Sequence, residues 1–90
     1  MRVVKDVYDV KEFKALLEEY DVPESVVERK CQTFNRYINE LNAELPAKVV
    51  LEKELKDEIT IIPWLLKKKI YNWDLEVSFK DGHQFSWARI

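Results

Sequence analysis

The chain has 90 residues, 47% hydrophobic and 36% charged, enough apolar material for one core and enough charge to coat it, which excludes a second independent core and wholesale disorder. Fifteen Lys and Arg against 17 Asp and Glu leave a formal charge of −2, so no bulk field draws in nucleic acid or an anionic membrane surface. The lone cysteine, Cys31, cannot close an intramolecular disulfide; no secretory apolar stretch follows Met1, and no run approaches the ~20 apolar residues that span a bilayer, so a cytoplasmic protein without membrane contact is expected.

Asp9 followed by Glu12 has the spacing of a capping box, with an acceptor at the N-cap and a carboxylate three positions on. A first helix is therefore expected from Asp9 to about Tyr20. Val10, Phe13, Leu16, Leu17 and Tyr20 fall on one stripe, opposite Lys11, Lys14, Glu18 and Glu19. Pro23 suits a first helical turn, and Pro46 restricts Leu45, so a second helix is expected from Pro23 to Glu44. Its stripe, Val27, Cys31, Phe34, Ile38, Leu41 and Leu45, alternates steps of four and three, as a coiled-coil seam does. Few charged pairs flank that seam, which favours a helix packed on its own sheet; a monomer or a helix-mediated homodimer is expected.

Between Lys48 and Lys56, Val49, Leu51 and Leu55 alternate with Glu52, Glu54 and Lys56, which suits a strand although the local composition favours helix. Glu58 to Ile62 is β-branched enough for a strand, which Pro63 either ends or converts into a helical turn through Trp64 to Lys69.

The C-terminal stretch is the most informative. Trp73, Leu75, Val77 and Phe79 alternate with Asp74, Glu76, Ser78 and Lys80, and then Phe85 and Trp87 alternate with Gln84, Ser86 and Ala88. A two-residue turn at Asp81-Gly82 would set Ser78 against Phe85 and mix polar with apolar groups on one face. A three-residue loop, Lys80-Asp81-Gly82, sets Phe79 against His83, Val77 against Phe85, Leu75 against Trp87 and Trp73 against Arg89, with Gly82 left-handed at a G1 bulge. Residues 1–90 thus read as a single α+β domain, two N-terminal helices packed on one face of a small antiparallel sheet ending in a C-terminal β-hairpin.

Chemistry has little foothold. With one glycine there is no phosphate-cradling loop and no nucleophile elbow, and one Cys with one His provides no zinc spacing, so neither cofactor nor metal is expected. His83 beside Asp81 has the form of an oriented base but reads as a solvent-exposed turn residue. Cys31 reads as core, and adjacent acids such as Asp57-Glu58 read as solvated faces. Six of the eleven aromatic residues lie from position 64 onward, more than two helices readily cover.

Candidate binding residues are accordingly Trp64, Lys67, Lys68, Lys69, Tyr71, Trp73 and Trp87. The resulting expectation is a non-enzymatic interaction protein, of inhibitor or adaptor type, that binds a larger protein; exposed Trp and Tyr anchor such interfaces, and the last strand, ending at Ile90, is expected at a sheet edge open to a partner strand. The alternative is a single-stranded nucleic-acid-binding module in which Lys67 to Lys69 meet phosphates and the neighbouring rings stack on bases.

Overall fold

The computed structural model describes residues 1–62 and 66–88. Its elements in chain order are β1 (Arg2–Val7), α1 (Val10–Glu19), α2 (Glu24–Glu40), β2 (Ala47–Ile62), β3 (Leu66–Phe79) and β4 (Gln84–Ala88). The strands form one antiparallel sheet in the order β1-β2-β3-β4, with both helices on one face, the α+β arrangement expected.

Asp9 caps α1 in extended conformation, its Oδ1 accepting the Glu12 N–H at 2.8 Å, while Glu12 Oε2 accepts the Tyr8 N–H at 2.8 Å. The helix ends in a Schellman turn: the Val22 N–H donates to the Leu17 carbonyl and the Asp21 N–H to the Glu18 carbonyl, each at 3.1 Å. Leu17 and Val22 are both buried, which supplies the apolar contact of that motif. Asp21 takes the left-handed position, φ 58°, that glycine more often fills.

The second helix ends at Glu40 rather than Glu44. Leu41 caps it, Asn42 turns left-handed at φ 50°, and the Ala43 N–H reaches back to the Tyr37 carbonyl, which breaks the ladder before Pro46 acts. Residues 47–62 are strand, as the alternation suggested, and Lys67 to Lys69 lie in β3 rather than in a helical turn after Pro63. An unanticipated strand, β1, precedes the helices; Val3, Lys5 and Val7 pair with Leu51, Val49 and Ala47, and Lys5 interrupts the apolar alternation that would have announced it.

The hairpin register agrees with the parity argument. Val77 pairs with Phe85 and Leu75 with Trp87; the Gly82 N–H closes onto the Phe79 carbonyl at 3.0 Å, and Phe79 donates to the His83 carbonyl at 2.7 Å. Gly82 sits at φ 98°. The expected partner of Trp73, Arg89, lies outside the described residues. Trp73, Leu75, Val77 and Phe79 are buried and Phe85 and Trp87 half-buried on the helix side, while Asp74 and Glu76 face solvent.

Rings fasten the layers. Phe34 stacks on Phe13 with centroids 4.6 Å apart and meets Phe79 at 5.3 Å, so one side chain of α2 touches both α1 and the sheet. Tyr37 meets Phe79 at 5.9 Å and Phe85 edge-on at 5.1 Å. Val27 and Phe34, both members of the heptad-like stripe, are buried in this core, so a zipper dimer would have to strip them from it. Each such aromatic pair contributes about 0.5–1.5 kcal/mol beyond burial of its area.

The sheet outruns the helices. β1 pairs only with Ala47–Glu52 and β4 only with Asp74–Ser78, whereas β2 and β3 remain paired with each other out to Ile62 and Leu66. Glu54–Ile62 and Leu66–Asn72 therefore form a two-stranded arm, and the chain measures 53 × 20 × 17 Å. Its Cα radius of gyration is 15.2 Å, against about 12 Å for a compact domain of this length.

Two of the three left-handed residues, Asp21 and Gly82, make opposite predictions. Asp21→Gly should raise stability by roughly 0.5–1 kcal/mol, because a Cβ is strained at that φ, and Gly82→Ala should lower it by about 1 kcal/mol although nothing crowds the added methyl. Urea unfolding followed by tryptophan emission reads both.

Candidate functional site

The arm is built on a broken parity. Through Leu55 the odd residues of β2 face the helix side, where Val49, Leu51, Lys53 and Leu55 oppose Val77, Leu75, Trp73 and Tyr71. Leu55 pairs with Tyr71 but Asp57 pairs with Ile70, so Lys56 is an extra residue, and Ile61 is a second one between Thr60 and Ile62. A one-residue slip exchanges the faces. Beyond it Glu58 and Thr60 lie on the helix side with Lys69 and Lys67, and Asp57 and Ile59 lie on the far face with Ile70 and Lys68.

Both faces of the arm consequently carry apolar groups without a covering layer. Leu55 is 54% exposed on the helix side and Ile59 48% exposed on the far face, with Ile70 half-buried diagonally from it. Residues 59–66 contain no charged side chain. A two-stranded ribbon in water is marginal by itself, so this arrangement favours a covered state.

Lysine stems cover the rings at the arm's base. The Lys53 Nζ stands 4.3 Å from the Tyr71 centroid and 4.5 Å from that of Trp73, and the Lys30 Nζ stands 4.2 Å from that of Trp87. Desolvation first, then the neighbouring Arg29 charge, pulls the Lys30 ammonium below its usual pKa. Lys53 occupies a helix-side position where the alternation calls for an apolar residue.

The sequence-derived candidates separate into distinct environments. Trp73 is 6% exposed, closed beneath Lys53, and offers no open ring. Trp87 and Tyr71 are half-buried under their lysines. Lys67, Lys68 and Lys69 are exposed, but Lys67 and Lys69 share the helix side while Lys68 projects from the other, and Glu58 opposes Lys69. Trp64 lies outside the described residues. Leu55, Ile59, Ile70 and Lys53 were not among the candidates; the uncharged run from Ile59 and the misplaced lysine between Leu51 and Leu55 were the available signals.

Elsewhere, Cys31 lines a groove of about 810 Å³ between α1 and α2 with Lys14, Glu18 and Glu28. Burial chiefly pushes its thiol pKa up, Lys14 opposing and Glu18 adding, so the nucleophilic thiolate is disfavoured. The His83 Nδ1 lies 2.8 Å from Asp81 Oδ2, and the His83 N–H donates to Asp81 Oδ1 at 3.1 Å. Desolvation works against the Asp81 carboxylate, but these hydrogen bonds and the histidine charge outweigh it and hold the carboxyl below its ordinary range. Among the described residues no three His, Cys, Asp or Glu gather to hold a metal, and no helix is long and apolar enough to cross a membrane.

No family model, curated protein or solved structure matches the chain.

Lys53→Ala should bare the base of the arm. With Trp64 and Trp87 replaced by Phe, so that Trp73 alone reports, its emission should shift to the red and become accessible to acrylamide, with roughly 0.5–1.5 kcal/mol of stability lost in urea unfolding.

Proposed function

We propose that this chain is a protein-binding module that engages a larger partner through the β2–β3 arm, as an inhibitor or adaptor does. The observation that carries the reading is the arm itself: paired strands that leave the body with, among the described residues, no third strand beside them and no helix above them. Among the described residues, Leu55 and Ile59 are the large apolar groups it exposes. A partner that covers both faces converts a marginal ribbon into a buried one, and each fully buried Leu or Ile contributes about 1.5–3 kcal/mol. Trp73 acts indirectly: it seats Lys53 and stiffens the root from which the arm projects. An unpaired Cys31 suits a reducing compartment such as the cytoplasm.

The single-stranded nucleic-acid reading draws on a different observation, that Lys67, Lys69 and Tyr71 share one face. It is the weaker of the two. Glu58 faces Lys69 across the strands, Tyr71 already lies beneath Lys53, and the overall charge is −2.

A shortened arm tests both. Replacing residues 55–71 by Asn-Gly joins Glu54 to Asn72, whose backbone groups face each other, through a two-residue hairpin turn and should leave the melting temperature of the body nearly unchanged. The full chain should recover a stoichiometric protein from extract of its own cell, and the shortened chain should lose it. Equal recovery by both, or recovery of no protein, overturns the reading; arm-dependent quenching of tryptophan by oligo-dT at low salt would put the nucleic-acid reading in its place.

A further inference from the structure

The arm has two open edges, and their backbones differ. The β2 edge is interrupted by the extra residues Lys56 and Ile61 and lined by Glu54, Asp57 and Glu58, whereas β3 is paired at every residue from Leu66 to Phe79 without an insertion. Bulges twist an edge away from pairing, and an unbroken edge accepts it.

The direction of the β3 amides follows from hydrogen bonds at both ends. Lys53 exchanges backbone bonds with Met1, its N–H donating at 2.9 Å and its carbonyl accepting at 3.0 Å, so its polar groups point away from β3, and those of its partner Trp73 point away from β2. Phe79, six residues on, donates to the His83 carbonyl in the same outward direction. Alternation then turns the N–H and C=O groups of Lys67, Lys69 and Tyr71 outward, beyond the stretch that β4 covers. The side chains above these groups are basic: Lys67 and Lys69 on the helix side, Lys68 on the other. Among the described residues, β4 offers a free edge of five, Gln84–Ala88, with no charged side chain to select a partner.

From the unbroken edge and its lysines we infer that β3, between Lys67 and Tyr71, accepts an extended acidic segment of the partner protein, which adds as a strand in line with β4. This rests on the proposed protein-binding role of the arm and names the chemistry of what it binds. Carboxylates of the incoming strand at alternate positions lie opposite Lys67 and Lys69, while apolar residues between them continue the far-face row of Ile70 and Ile59. Main-chain bonds hold the strand, and the lysines choose its charge.

The probe is a capped eight-residue peptide of alternating glutamate and valine, titrated into the ¹⁵N-labelled full chain; the same peptide with lysine for glutamate, and oligo-dT, serve as comparisons. The acidic peptide should slow hydrogen exchange at the Lys67, Lys69 and Tyr71 amides, leaving Lys68 and Ile70 unchanged, and should weaken with added salt. Lys69→Pro removes an outward donor without touching a bond to β2 and should weaken the peptide by about tenfold or more. Lys67→Glu with Lys69→Glu leaves the backbone intact and should exchange the preference to the lysine peptide. The inference is overturned if the edge amides gain no protection, if Lys69→Pro binds as well as the parent while retaining its dispersed spectrum, or if only oligo-dT perturbs this stretch. A protein captured through the arm and kept by Lys69→Pro would leave the arm's role standing while removing the edge.

Discussion

A seventeen-residue helix rises about 25 Å, whereas a sixteen-residue strand extends about 53 Å, and the form of this protein follows from placing one against the other. The helix layer is fixed at one end of the sheet because Phe34 inserts between Phe13 and Phe79, and Tyr37 adds a second contact to Phe79 and Phe85. Those rings leave no freedom to slide the layer toward the tip. Whatever β2 and β3 build beyond Trp73 must do without a second layer, and that uncovered length is where the binding proposals reside.

The arm differs from the body in how its apolar residues are distributed. In the body one parity is buried and the other faces solvent, so a slip of register would expose the core; the pairing is strongly specified. At Lys56 the chain takes the first of its two slips, and Leu55 and Ile59 come out on opposite faces. A ribbon apolar on one side would lie down on a single surface. One apolar on both sides suits insertion between surfaces or enclosure by a partner, and the same bulge blunts the β2 edge so that β3 is the better strand to extend.

How much of this was legible depends on local consistency. The stripe of α1, its capping box and the parity of residues 73–87 each satisfy several rules together, and the structure follows them. The end of α2 was misjudged because Asn42, not Pro46, breaks the ladder, and an asparagine that turns left-handed looks in sequence like any polar helix residue. Strand β1 was invisible because Lys5 sits on the helix-side row, and the arm was legible only as a strand of uncertain extent, since a bulge erases the alternation used to find strands. For the site, the lysine run and the aromatic residues were visible by type, but sequence could not show that Trp73 is closed beneath Lys53 or that Lys68 departs from Lys67 and Lys69.

The lysines of this sheet do two opposed things, and the difference lies in what each stands over. Lys53 lies across the faces of Tyr71 and Trp73, where its stem takes the place of the missing helix layer, as Lys30 of α2 lies across Trp87 in the body. Lys67, Lys68 and Lys69 stand on a strand with open backbone groups on one side. Lysine on an edge discourages indiscriminate pairing, since it must be desolvated against an apolar or basic strand and two such edges repel each other. Against an acidic strand that cost is offset by ion pairing. On the proposed reading, the charge that keeps like copies apart is the same charge that would admit an acidic partner.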